Sequence, residues 1–134
     1  MTHATSERIR PRAGNRCEYC GVPETDSGLR FHIEHIVARQ HGGSDEDDNL
    51  ALACPDCNWH KGTNLTGIDP DSGEVTLLFH PRRHVWLEHF RNEPPRILGF
   101  TKSGRTTVWL LDMNSPIRLQ HRKWLTSLGE WPVS

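Results

Sequence analysis

The chain has 134 residues, of which 34% are hydrophobic and 25% are charged, and its formal net charge is −1. This length fits one compact domain, and the charged fraction is typical of a globular protein rather than a disordered one. The longest apolar run, residues 50–54, is far shorter than the about 20 residues that a membrane-spanning helix needs. The polar, arginine-rich start of the chain lacks the apolar segment of a secretory signal, so we expect a cytoplasmic protein without a membrane anchor.

The charged residues are unevenly distributed along the chain. Residues 45–74 carry eight acidic side chains and one basic side chain, whereas residues 75–134 carry nine basic and four acidic ones. Any surface that binds nucleic-acid phosphates must therefore be local. We interpret the acidic run at residues 45–48 as a solvated loop, with a cation-attracting site as the alternative.

The first predicted elements are a lead-in segment and a strand. Residues 5–16 are predicted to be a short helix or an irregular segment, because Pro11 weakens a helix. Leu29, Phe31 and Ile33 alternate with polar residues, which is the two-residue period of a half-buried strand.

A second strand and a short helix follow this strand. Glycines at residues 42–43 predict a loop, and the apolar residues 50–53 predict the second strand. Pro55 occupies a favourable first helical position and Gly62 a favourable stop, which predicts a helix of about two turns.

The remainder of the chain predicts a small antiparallel β region and a final helix. Strands are predicted at residues 75–79, 85–90, 97–101 and 106–113, with residues 102–105 as a hairpin turn. The helix begins near Pro116 and carries a stripe of apolar and aromatic side chains at helical spacing: Ile117, His121, Trp124, Leu125 and Leu128. We therefore predict an α+β fold in a single domain, residues 1–134, with a core at 16–64 and an extension at 74–130.

Four cysteines form two pairs with CxxC spacing, and the pairs are separated by 33 residues: Cys17, Cys20, Cys54 and Cys57. Thiolates are strong zinc ligands, and a two-residue spacer lets both sulfurs of a pair face one ion. Four thiolates leave no open coordination position, so the predicted zinc ion (Zn²⁺) is structural. Two disulfides are the alternative, which a reducing compartment disfavours. A redox-active CxxC would require a βαβ pattern that the sequence lacks.

Polar residues between and after the cysteine pairs complete a larger pattern. It consists of Glu34-His35-Ile36, Gly42-Gly43, Asn49-Leu50, and Asn58 with Lys61 after the second pair. Asn49 lies 14 residues after His35, and Asn58 lies 9 residues after Asn49. The order and spacing over residues 16–64 resemble the HNH endonuclease family, specifically its members with two CxxC pairs. The remaining chain is similar, less specifically, to small stand-alone bacterial members.

The resemblance implies a ββα-metal core and metal-dependent hydrolysis of DNA phosphodiester bonds to 5′-phosphate and 3′-hydroxyl ends. It makes His35 the general base, Glu34 and Asn58 the ligands of one catalytic divalent cation, and Asn49 the brace of the loop that aims His35. The family often has a histidine at the place of Asn58, and some relatives carry a further histidine at the place of Gly62.

Elementary chemistry agrees with these implied roles. An imidazole has an ordinary pKa suited to activating water near pH 7. A carboxylate and an amide oxygen leave coordination positions open and favour Mg²⁺ or Mn²⁺ over softer metals. Adjacent strand residues point to opposite faces, so Glu34 and His35 can converge only where the strand ends or bulges.

Each of these residues also has a structural interpretation. His35 could be a buried, hydrogen-bonded histidine, Glu34 an exposed strand carboxylate, Asn49 a turn cap and Asn58 part of a helix face. The predicted phosphate contacts come from Arg39, Lys61 and a basic stripe of Arg118 and Arg122, for which a solvated helix face is the alternative.

Three functions follow from these interpretations. The first is an endonuclease that acts on DNA, with RNA as an alternative substrate, as a monomer or a homodimer. The second is a catalytically inactive zinc module that binds nucleic acid. The third is a zinc-stabilised interaction protein whose tryptophans form its core or its partner surface.

Overall fold

Two helices and two strands form the N-terminal half of the fold. The computed structural model describes residues 2–25 and 30–133. Helix α1 (His3–Arg12) leads into strand β1 (His32–His35), strand β2 (Leu50–Ala53) and helix α2 (Pro55–Lys61). The strands are antiparallel, with Glu34 opposite Ala51 and His35 opposite Leu50. The predicted ββα-metal core is therefore present.

The N-terminal part of the chain differs from the prediction in two respects. The lead-in is a regular helix that contains Pro11 in its last turn. At its N-terminus, the Thr2 side chain caps the helix by accepting a hydrogen bond from the Thr5 amide. In β1 the residue buried by packing is Glu34, whereas the alternation had predicted it to be exposed. Leu29, part of the same prediction, lies outside the described residues.

Both ends of α2 follow the predicted signals. Pro55 begins the helix after Cys54, whose side chain accepts a hydrogen bond from the Cys57 amide. Gly62 ends it with φ of 53°, a conformation that costs side-chain-bearing residues steric strain. A histidine at this position, as in some relatives, would be disfavoured by this backbone.

The extension contains two hairpins and two helices. Strands β3 (Thr66–Ile68) and β4 (Val75–Leu77) pair with each other, as do β5 (Phe90–Glu93) and β6 (Arg96–Gly99). Helices α3 (Lys102–Leu110) and α4 (Pro116–Ser127) follow. The first hairpin begins before the predicted boundary at residue 74, and the predicted strand at 85–90 is a short 3₁₀ turn that precedes β5.

Helix α3 replaces the hairpin turn and strand predicted at residues 102–113. The Thr101 hydroxyl caps the helix by accepting from the Gly104 amide. The hydroxyls of Thr106 and Thr107 donate to the carbonyls one turn earlier. The strand prediction was wrong because these local bonds, and the packing of α3 on β3 and β6, outweigh the strand preference of β-branched residues.

Helix α4 begins at the predicted residue, but the face that it buries differs from the predicted one. Its buried residues are Arg118, Arg122 and Leu125. Most of the apolar stripe is exposed instead, including Ile117 and Trp124. Arginines occupy the buried face because the core offers them thiolates and backbone carbonyls as acceptors, as described below.

One hydrophobic cluster runs through both parts of the chain, from Ile9 on α1 to Leu125 on α4. Among the residues that the structure describes, no helix is long and apolar enough to cross a membrane.

Candidate metal centre and catalytic cavity

The four cysteines form one buried cluster. The Sγ atoms of Cys17, Cys20, Cys54 and Cys57 all lie within 4.8 Å of one another. Cys20 Sγ and Cys54 Sγ are 3.7 Å apart, which matches the about 3.8 Å edge of a tetrahedron with Zn–S bonds of about 2.3 Å. A disulfide would require about 2.0 Å. The donor set and its spacing therefore fit a structural zinc ion and argue against the disulfide alternative.

Side chains from the C-terminal part surround this centre. Arg118 Nη2 donates to Cys57 Sγ at 3.0 Å, and Trp131 Nε1 donates to the Cys20 carbonyl at 3.0 Å. Arg122 stacks over the Trp131 ring at 5.4 Å and donates to the Pro95 carbonyl. The nucleic-acid-binding prediction for Arg118 and Arg122 is wrong, because both side chains are buried and engaged in these internal contacts.

The segment at residues 17–20, which we call the first knuckle, connects the cysteine cluster to the strand that carries the predicted base. Tyr19 lies between Cys17 and Cys20, is 1% exposed, and donates its hydroxyl proton to Glu34 Oε1. Burial raises the pKa of Tyr19, and the Glu34 carboxylate raises it further, so the phenol stays protonated as the donor. This contact joins the two predicted metal sites through one side chain.

Glu34 is buried between two partners. Its second oxygen, Oε2, lies 3.3 Å from Lys61 Nζ, and Lys61 Nζ also donates to the Ile36 carbonyl at 2.9 Å. Burial raises the pKa of Glu34, while Lys61 and Tyr19 act in the opposite direction. Lys61 is 1% exposed, so the prediction that it contacts phosphate is wrong: its ammonium group stabilises the core of the ββα unit.

Asn49 holds the loop between β1 and β2. Its Oδ1 accepts from the Val37 amide at 2.9 Å, and its Nδ2 donates to the carbonyls of Val37 and Ser44 at 2.9 and 2.8 Å. Gly43 completes the turn, since a Cβ there would lie 1.7 Å from the Val37 carbonyl oxygen. These hydrogen bonds hold the backbone of the loop at Val37 and Ser44.

His35 and Asn58 meet at an open cavity of about 530 Å³ between β1, the following loop and α2. Glu34, Arg39 and Gly62 also line it. The Asn58 side-chain amide makes no hydrogen bond to any described residue and is free to bind a ligand. Glu34 and His35, at the end of β1, both contribute atoms to the wall of this cavity.

Asp45 is one of two site residues that the sequence did not single out. Its Oδ1 lies 2.7 Å from His35 Nε2 and 3.0 Å from Arg39 Nη2. The hydrogen bonds from His35 and Arg39 hold the pKa of Asp45 below its usual range. The signal was present in the acidic run after Gly42-Gly43, but nothing in the run distinguishes Asp45 from its neighbours. Tyr19 was missed because its partner lies 15 residues away in another element.

A second metal centre with several acidic or imidazole ligands is absent from residues 2–25 and 30–133. Among these described residues, only the cysteine cluster contains three or more His, Cys, Asp or Glu donors within reach of one ion. A cation in the cavity would therefore have few protein ligands and several water ligands.

Comparison with known proteins supports the assignment of the core. The family model of the HNH endonuclease matches residues 17–64. No curated protein and no solved structure matches the chain. The matched segment begins at the first zinc cysteine and contains both strands and α2 of the ββα unit. Residues 17–64 of this chain are therefore similar to the HNH endonuclease domain over the whole ββα unit.

Proposed function

We propose that this protein is a metal-dependent endonuclease that hydrolyses phosphodiester bonds in DNA. The supporting observation is that His35, Glu34 and Asn58 line one open cavity on the ββα unit. The residues on this cavity include an imidazole, oxygen donors for a hard cation and an exposed guanidinium. They can supply the general base, the metal ligands and the phosphate contact of a phosphodiester hydrolysis.

In this proposal His35 is the general base. Its side chain is 19% exposed, so water can reach the ring while the loop holds it in place. It takes a proton from the attacking water as the new P–O bond forms and the bond from phosphorus to the 3′ oxygen breaks. The Lys61 ammonium group lies 3.4 Å from the His35 carbonyl oxygen and fixes the backbone beneath the ring.

The cation would be held by the Asn58 amide oxygen and the Glu34 carboxylate. Both are oxygen donors, which fit Mg²⁺ or Mn²⁺, and the cavity has room for the waters that complete the shell. When bound, the cation neutralises charge on the phosphate and on the leaving 3′ oxygen. Glu34 also has internal partners, so we assign Asn58 as the more accessible ligand.

Arg39 is the proposed phosphate contact that the structure leaves accessible. Its side chain is 69% exposed, and it lines the same cavity as His35. Its ion pair with Asp45 holds the guanidinium at the rim, where it can meet a phosphate oxygen. RNA and DNA share this chemistry, and the proposal commits to DNA on the family resemblance.

The test is cleavage of supercoiled plasmid by zinc-loaded protein with Mg²⁺ or Mn²⁺. We expect nicked or linear product that a chelator abolishes and that His35→Ala reduces by about 10²-fold or more, the effect of losing a general base. His121→Ala is the matched control, because His121 is an exposed histidine that does not line the cavity. Equal rates for the His35 and His121 variants would exclude the mechanism.

A second candidate function is a zinc module that binds DNA without cutting it. The observation that favours it is the engagement of both Glu34 oxygens by Tyr19 and Lys61, which leaves few free ligands for a cation. Retention of DNA in a gel-shift assay, with no cleavage under either metal, would support this alternative.

A further inference from the structure

One carboxylate oxygen of Asp45 contacts both His35, the proposed base, and Arg39 at the rim of the cavity. Its Oδ1 lies 2.7 Å from His35 Nε2, 3.1 Å from Arg39 Nε and 3.0 Å from Arg39 Nη2. The preceding residue is fixed in place, because the Ser44 carbonyl accepts from Asn49 Nδ2. The carboxylate is therefore presented by a braced loop although its own side chain is exposed.

The contact determines which ring nitrogen of His35 carries the proton in the neutral imidazole. An ionised carboxylate can only accept hydrogen bonds, and two donors from Arg39 keep Asp45 in that state. His35 Nε2 must then be the donor to Asp45. His35 Nδ1 has no hydrogen-bond partner among residues 2–25 and 30–133, so its lone pair is available.

We propose that Asp45 is a positioning residue that fixes the ring of His35, with Nε2 as donor and Nδ1 as the nitrogen that accepts the proton from water. This inference rests on the proposed nuclease function and deepens it. Asp45 touches neither the water nor the phosphate in this assignment. It acts by holding the ring in one rotamer and one tautomer, so that no reorientation is needed during the reaction.

Kinetic measurements on three variants test this role. Asp45→Ala removes the acceptor, and we expect kcat to fall by about 10²-fold with KM nearly unchanged, the scale of a misplaced catalytic group. Asp45→Asn keeps an acceptor oxygen without the charge, and we expect a smaller loss. Asp48→Asn is the matched control, since it removes an equal charge from the same loop and its side chain is exposed without a polar partner among the described residues.

A spectroscopic measurement tests the contact independently of activity. In protein labelled with ¹⁵N-histidine, we expect the His35 ring proton to reside on Nε2 and to exchange slowly with water in the wild type. It should exchange rapidly in Asp45→Ala and slowly in Asp48→Asn. A proton found on Nδ1 in the wild type would overturn the inference.

The outcomes separate the two proposals. If wild-type protein cuts DNA and Asp45→Ala retains the kcat of Asp48→Asn, the positioning role is excluded while the nuclease proposal survives. If zinc-loaded wild-type protein cuts no DNA, the nuclease proposal is excluded, and the role of Asp45 in it is excluded as well. A loss of kcat in Asp45→Ala together with fast exchange of the Nε2 proton supports the inference.

Discussion

Arg118 on the C-terminal helix donates a 3.0 Å hydrogen bond to Cys57 Sγ in the zinc centre. The same guanidinium donates to the Leu111 carbonyl at 2.6 Å, at the end of α3. One buried side chain therefore connects both helices of the extension to the ββα core. A hydrogen bond to a thiolate also lowers its negative charge density, which favours four thiolates around one ion.

The first prediction concerns this contact. Arg118→Gln should lower zinc affinity by about 10- to 100-fold, the usual effect of losing a partner of a metal ligand. Competition with a chromophoric chelator measures it. Lys123→Gln on the exposed face of the same helix is the control and should bind zinc like the wild type. Equal affinities for the two variants would show that Arg118 does not support the metal centre.

A second prediction concerns removal of the zinc ion itself. The cysteines join the first knuckle to the start of α2, and Tyr19 in that knuckle holds Glu34. Binding energy of structural zinc is folding energy, of the order of 10 kcal/mol in small domains. We expect chelation to abolish cooperative thermal unfolding measured by circular dichroism, and zinc to restore it. Magnesium should not, because thiolates bind it poorly. A chelated protein that still melts cooperatively would contradict a structural role.

The ββα core could be predicted from the sequence because its signals are local. Each CxxC pair spans four residues, and Pro55 and Gly62 mark the two ends of α2. The position of His35 and Asn58 on one cavity then followed from the family pattern. The hydrogen-bond partners of Glu34 and His35 did not follow, because Tyr19 and Asp45 reach them from other segments.

Helix α4 shows why the extension resisted prediction. Its periodicity is helical, but periodicity alone does not say which face packs inward when both faces carry a mixture of polar and apolar side chains. The buried thiolates and unpaired carbonyls at the ends of α3 require donors, which Arg118 and Arg122 supply. Leu125 is the one member of the predicted apolar stripe that is fully buried. Burial of two arginines depends on acceptors from distant segments, which no local pattern reveals.

The third prediction tests the structural role of Lys61. Lys61→Met leaves the buried Glu34 carboxylate with Tyr19 as its one remaining side-chain partner. Breaking a buried ion pair costs about 3 to 5 kcal/mol in the free energy of unfolding, measured by urea denaturation. His60→Met, at the half-buried neighbouring position on α2, is the control. The double variant Glu34→Gln/Lys61→Met should lose less than the two single variants together, since no charge is left unpaired.

If Lys61 contacts phosphate instead, Lys61→Met will retain wild-type stability and lose DNA affinity. That result would restore the sequence-based assignment of Lys61 and contradict the buried pair.

The last prediction concerns stability in acid. Asp69 lies at the turn between β3 and β4, is fully buried, and accepts from Arg105 Nε at 3.0 Å and Arg105 Nη2 at 2.9 Å. These bonds, with one from Ser72, hold the pKa of Asp69 far below its usual range. The folded pKa is thus lower than the unfolded value of about 3.9. The unfolded chain binds the proton more tightly, so this contribution to stability is complete above the unfolded pKa and is lost as the pH falls through and below it.

Urea denaturation at about pH 7 and at about pH 3.5, on either side of the unfolded pKa, measures this loss. Asp69→Asn should reduce stability at neutral pH and show a weaker decline between the two values than the wild type. Asp48→Asn, which removes a carboxylate that has no polar partner among the described residues, should decline in parallel with the wild type. Acid also releases zinc by protonating the thiolates, but that loss is common to all three proteins and cancels in their differences. Parallel curves for the wild type and Asp69→Asn would show that the Asp69–Arg105 pair contributes nothing to acid sensitivity.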